Sequence, residues 1–207
     1  MYARTTTITA DPVRVDAGIA EVHDNVMPAV SGMDGCLGLS MLADRNSGRC
    51  IITTAWETEE AMAATREAVR RMREQATEQF GAHEPEVREW EIAAMHRLNA
   101  PGDDACARVT WSCVDPAAMD RVLADFRTDL IPRMDEMPGF CSLSLMLDRQ
   151  TGDNSLTAVY ADRRSMDASR QRAMGIRDEF RRRLHMSATD VAEFDLVLHH
   201  LRVPELV

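Results

Sequence analysis

Apolar side chains recur at helical spacing in one early stretch, at Val15, Ile19, Val22, Val26 and Val30. The same five positions shifted by 104 hold Met119, Leu123, Phe126, Leu130 and Met134. A single stripe of this kind predicts an amphipathic helix that packs by one face. Each stripe follows an Asp-Pro pair, Asp11-Pro12 and Asp115-Pro116, which reads as an N-cap carboxylate and a proline in the first helical turn. Ahead of each lies a run rich in β-branched residues, 3–10 and 106–114, which predicts a strand.

After a glycine turn the pattern changes to two β-prone runs, Cys36 to Leu42 and Cys50 to Trp56, joined by Asp44-Arg45-Asn46-Ser47-Gly48. The copy runs from Phe140 to Leu147 and Ser155 to Tyr160 around Gly152. Two such runs about a short glycine-ended loop predict a hairpin, with Gly48 at positive φ. A second helix is expected over about 58–80, with Met62, Val69, Met72, Ala76 and Phe80 on one face. Its copy carries Met166, Ala173, Ile176, Phe180 and Leu184. Closing strands follow around Val87–Ile92 and Val191–Leu196. The order β-α-β-β-α-β, written twice, predicts an α+β protein of two ferredoxin-like halves.

The two copies align from Ala3 to Arg97 without a gap, so Gly48, Met62, Arg66, Glu89 and His96 meet Gly152, Met166, Arg170, Glu193 and His200. A period this long means duplicated domains: residues 1–97 and 106–207, joined by a polar linker over 98–105 that contains Pro101-Gly102. Strand 36–42 is not strongly polar on either face, and Cys141, Leu143, Leu145 and Leu147 line one side of its copy. A sheet with helices on one face must cover the other, so the halves are expected to meet sheet to sheet.

Composition narrows the chemistry. The 24 basic residues are all Arg, so a P-loop lysine, a pyridoxal Schiff base and a lysine nucleophile are excluded. Against 34 acidic residues they leave a net charge of −10, which argues against a nucleic-acid partner. No apolar run is long enough for a membrane span, and the N-terminus lacks a signal-peptide stretch, which predicts a soluble, cytoplasmic protein without a membrane partner. The five cysteines show no metal-like spacing and read as reduced, packed thiols, so no metal is expected.

The run Ile52-Thr53-Thr54-Ala55-Trp56-Glu57-Thr58-Glu59-Glu60-Ala61-Met62 resembles the strand-to-helix junction of the antibiotic biosynthesis monooxygenase (ABM) family. Met33-Asp34-Gly35-Cys36-Leu37-Gly38 and Met137-Pro138-Gly139-Phe140 resemble that family's entry into its second strand. The resemblance covers both halves and implies a dimeric α+β barrel, formed here within one chain. It also implies one of two activities: cofactor-independent oxygenation of polycyclic phenols, or haem degradation. Haem-degrading relatives share an Asn in strand one and a Trp and a His in helix two. The corresponding places here fall near Thr6, Thr7, Thr110 or Trp111 and near Ala64, Thr65, Ala168 or Ser169, with no His in 58–80 and His185 only at the end of the copy. The haem branch is disfavoured, and no cofactor is expected.

Candidate site residues follow from their places in the pattern. Trp56 and Tyr160 end the third strands, where an aromatic could stack on a ligand and either Tyr160 or Trp56 could hydrogen-bond its carbonyl oxygen; the plainer reading is an aromatic that closes the core. His96 and His200 fall late in the closing strands, on the face that odd-even counting gives to Trp90 and Phe194, where a His could act as general base. Arg108, like Arg4, could stabilise a phenolate; Arg66 and Arg170 recur on the second helices and Arg181-Arg182-Arg183 reads as a solvated helix end. The second half, with His200, Tyr160 and Arg108 as catalytic candidates and Trp111 and Phe194 against the ligand, is the favoured pocket; Trp56 and His96 are the binding candidates of the first. The expected partner is a small aromatic molecule, with a second copy of the pseudodimer as a further candidate. The alternative is a non-catalytic tandem protein that binds a small molecule or serves structurally.

Overall fold

The computed structural model describes residues 1–82 and 84–207, with the side chains of all of these but 188 and 189. The first copy contains β1 (Tyr2–Thr9), α1 (Val15–Glu21), α2 (Met27–Ser31), β2 (Cys36–Ala43), β3 (Arg49–Trp56), α3 (Glu59–Ala64), α4 (Arg66–Phe80) and β4 (Glu86–Arg97). The second contains β5 (Cys106–Cys113), α5 (Met119–Asp125), α6 (Ile131–Asp135), β6 (Phe140–Leu147), β7 (Asp153–Tyr160), α7 (Arg163–Leu184) and β8 (Ser187–Leu201). The βαββαβ order therefore holds in both copies. The strands hydrogen-bond in the order β1-β3-β2-β8-β5-β7-β6-β4 and close into a barrel, so the fold is an intramolecular dimeric α+β barrel.

The first predicted helix is one continuous stripe in sequence but not one regular helix. After the 3₁₀ turns capped by Asp11 and Asp115, each copy passes through a π-helical turn, at Val22–Val26 and Phe126–Leu130. Pro28 and Pro132 stand at the start of α2 and α6, where the missing amide hydrogen interrupts the α ladder. The hairpins form as expected. Gly48 and Gly152 have φ of 75° and 84°, and a Cβ on either would collide with the carbonyl of Ala10 or Val114.

By packing, the chain divides into two compact units whose limits are not those of the repeat. Unit 1 comprises Met1–Trp90 with Asp195–Val203; unit 2 comprises Glu91–Phe194 with Pro204–Val207. Each closing strand thus begins in one unit and ends in the other. In unit 1, β2 pairs with β3 and with Asp195–Leu201 of β8; in unit 2, β6 pairs with β7 and with Glu91–Arg97 of β4. Both closing strands skip a residue in that pairing, at Ala93 and Val197. Such a bulge reverses the in-out alternation beyond it, which undoes the odd-even placement of His96 and His200.

Each unit has its own core between its sheet and its helices. In unit 1 the largest buried groups are Trp56, Phe80, Leu39 and Met41; in unit 2 they are Tyr160, Phe140, Leu143 and Met166. Among the described residues no helix is long and apolar enough to cross a membrane.

Candidate functional site

The same polar clasp is built in both units. Arg4 on β1 donates from Nε to Glu89 Oε1 at 3.0 Å and from Nη2 to the Met62 carbonyl at 2.8 Å. Arg108 on β5 repeats this with Glu193 at 3.0 Å and the Met166 carbonyl at 3.0 Å, and adds Ser169 Oγ at 3.3 Å. The hydroxyls of Thr65 and Ser169 turn back to those same carbonyls, and Arg66 and Arg170 hold Glu89 and Glu193 from the helix side. Burial opposes ionisation of Glu89, but the bonds and charges of Arg66 and Arg4 outweigh it and hold its carboxyl below the usual range. The clasp ties the first strand of each unit to its second helix. Arg108 is therefore committed at all three guanidinium nitrogens.

Above this common frame the units diverge. Unit 2 contains a cavity of about 350 Å³ between β5, β6 and β7 and its helices, the size of a small-molecule site. The matching space in unit 1 is about 40 Å³, well below the size of a small-molecule site. Side chains 104 apart differ in both directions between the two walls, and Val22 and Ala76 of unit 1 become the larger Phe126 and Phe180 of unit 2. Phe80 seats its ring against Gly18 and fills unit 1; the same places in unit 2 are Leu184 and Val122. Val69 becomes Ala173, which removes two methyl groups from the facing helix.

One buried polar atom of a residue that lines the cavity differs between the units. In unit 1 Trp56 Nε1 donates to Thr54 Oγ1 at 3.2 Å. In unit 2 these positions are Tyr160 and Ala158, and the buried Tyr160 hydroxyl has no hydrogen-bond partner among the described residues. Burial pushes its pKa up, so it stays a protonated donor; Ser169 and the Arg108 charge oppose the shift, and Ser169 Oγ itself donates to Met166 O. The rest of the deep wall is apolar, with Phe126, Leu130, Met134, Leu143 and Leu156.

The sequence-derived site residues divide accordingly. Tyr160 and Arg108 line the unit 2 cavity. Trp111 does not: Thr110 and Ser112 line it, and Trp111 between them faces the opposite side of β5, edge-on to Phe194 at 6.5 Å. His200 is exposed and pairs with Leu39 in unit 1, so it is not grouped with Tyr160. His96 belongs to unit 2 but is held between Asp135 and Glu205, at 2.8 and 2.7 Å, and lines no cavity. Trp56 closes the unit 1 core with Val30, Met62 and Val69. Sequence reasoning missed two wall residues of α7, Arg177 and Arg181. The recurrence of Arg at 73 and 177 was the available signal for the first. Among the described residues no group of three or more His, Cys, Asp or Glu side chains is placed to hold a metal ion.

A ferredoxin-like unit with a cleft between sheet and helices, duplicated and closed into one barrel, defines the class of the protein. The family model for antibiotic biosynthesis monooxygenase matches residues 1–82. Two uncharacterized proteins of Mycobacterium tuberculosis are similar over the whole chain: one is 45% identical over 207 residues, covering 92% of that protein, and the other 47% over 210 residues, covering 88%. The chain belongs to the antibiotic biosynthesis monooxygenase family. Among solved structures it is similar to an anthrone oxidase-like protein, with TM-score 0.66 and 16% identity over 96% of this chain and 91% of that one. It is also similar to a candidate monooxygenase of Fusobacterium nucleatum, with TM-score 0.68 and 15% identity over 95% and 91%. At these identities the likeness shows the fold alone.

Proposed function

We propose that unit 2 binds a small aromatic or polycyclic phenolic compound and oxygenates it without a cofactor. The observation that carries this reading is a cavity of about 350 Å³ whose deep side chains are apolar and whose lining includes Tyr160, with its hydroxyl buried and unpartnered among the described residues. A buried donor without an acceptor costs about 1–3 kcal/mol, and a ligand oxygen would recover it. With its pKa raised, Tyr160 donates to the ligand's carbonyl or phenolic oxygen and favours the electron-rich enolate, which reacts with O2 directly. Family membership and the name of the anthrone oxidase-like neighbour support a tricyclic anthrone as the first probe. The balance closes without an external reductant: one anthrone and one O2 give one quinone and one water.

The test is oxygen uptake and quinone absorbance for purified protein and anthrone in air-saturated buffer with no added flavin or metal. Turnover above the uncatalysed rate, reduced about 100–1,000-fold in Tyr160→Phe, is expected, because a lost oxyanion donor costs on this order. One observation favours a second reading, binding without turnover. Glu193, the carboxylate of the cavity wall, is held by Arg108 and Arg170, and no His lines the cavity among the described residues, so a free base is not at hand. Stoichiometric binding with no oxygen uptake would select that reading.

A further inference from the structure

We propose that the ligand of the unit 2 cavity is an anion, an aromatic carboxylate whose acid group is received by Arg177 and Arg181 of α7; this rests on the small-aromatic reading of that cavity. Four arginines, Arg108, Arg170, Arg177 and Arg181, are among the residues that line the cavity, against one acidic residue, Glu193. This concentration of positive charge sits in a chain of net charge −10. Two of the four are committed: Arg108 to Glu193, Ser169 and Met166 O, and Arg170 to Glu193 and Asp167.

The other two are not. Arg177 Nε lies 3.7 Å from Asp178 Oδ1, and Arg181 Nη1 lies 3.8 Å from the same oxygen. Both separations exceed hydrogen-bond length, so each ion pair is a loose Coulombic contact and the planar donor forks are unfilled. Arg177 is nonetheless about three-quarters buried, with side-chain exposure of 27%. At that exposure its free donors are left to water or to a ligand, and an anion can take the place of the water. Spaced four residues apart, the two project from one face of α7. A carboxylate takes the bidentate geometry that a guanidinium offers, and the low-dielectric wall strengthens the pairing. The ring of the same molecule then occupies the apolar depth beside Phe126 and Leu143, with an oxygen at Tyr160.

Unit 1 supplies an internal comparison. Arg73 is the counterpart of Arg177 and borders the small space there, but position 77 is Thr where unit 2 has Arg181, and the space is only about 40 Å³. The cation pair and the room for a ring occur together in unit 2.

The experiment is calorimetric titration of the full chain at pH 7 with anthraquinone-2-carboxylate and with its neutral carboxamide, on wild type, Arg177→Met and Arg177→Lys. The acid is expected to bind wild type about 10-fold or more tightly than the amide, the usual worth of charge-assisted hydrogen bonds. Arg177→Met should lose most of that preference with amide binding unchanged, and Arg177→Lys should keep part of it. Equal binding of acid and amide, or an equal loss of both in Arg177→Met, would overturn the anion inference while leaving the aromatic reading intact. Binding of neither compound would overturn both. Equal melting temperatures in the three proteins establish that any loss is local.

Discussion

Phe80 packs its ring directly on Gly18, so closely that a Cβ at residue 18 would overlap the ring atoms. Phe80 borders the small space of unit 1, and the residues at the same two places in unit 2, Leu184 and Val122, line the larger cavity. Phe80→Ala should destabilise the protein by about 3–5 kcal/mol, as for a fully buried phenylalanine. The substitution should also open a second apolar site. Urea denaturation reads the first effect, and a rise in the stoichiometry of a small aromatic probe reads the second.

Tyr160→Phe is expected to leave the stability of the ligand-free protein unchanged or slightly higher. The hydroxyl it removes is buried and makes no hydrogen bond, so nothing is lost with it and a desolvation cost is relieved. Trp56→Phe should behave in the opposite way, because that indole bonds Thr54 and lies wholly within the core. Comparison of the two melting temperatures checks the contrast.

Arg108→Met should cost about 1–3 kcal/mol, because the Met166 carbonyl and one side of the Glu193 carboxylate lose a buried donor while Arg170 still holds the Glu193 charge. Asp16→Asn, which removes an exposed partner of Arg45, should cost no more than about 1 kcal/mol. A loss of activity in Arg108→Met would therefore be read against its folded fraction, measured by circular dichroism in the same sample.

His96 makes part of the fold pH-dependent. Burial lowers its pKa, but the hydrogen bonds and charges of Asp135 and Glu205 together outweigh this and raise it above the ordinary value of 6.5. Its ring also lies against Phe140, at 6.3 Å. A raised folded-state pKa gives stability that is complete below the unfolded value and fades as pH rises through the folded one. The melting temperature should accordingly fall as pH is raised from 6.5, and this component should vanish in His96→Asn. The Leu206 amide, which bonds Met95 O beside Glu205, should lose hydrogen-exchange protection over the same range.

Local order was legible in the sequence because it depends on neighbours within a few residues. The stripes from Val15 and Met119, the Asp-Pro caps and the positive φ at Gly48 each follow from backbone sterics and side-chain period, and the register of 104 doubles every signal. Tyr160 and Arg108 were accessible for the same reason, since a strand end and an alternating strand position place them without reference to distant parts of the chain. The bulges at Ala93 and Val197 carry no comparable local mark, and they decide which way His96 and His200 face. The difference between a filled and an open unit was equally hidden. It involves pairs such as Phe80 with Gly18 in one unit and Leu184 with Val122 in the other, residues 62 positions apart. Only the tertiary structure brings such pairs together, and close packing turns a few methyl groups at that contact into a cavity or its absence.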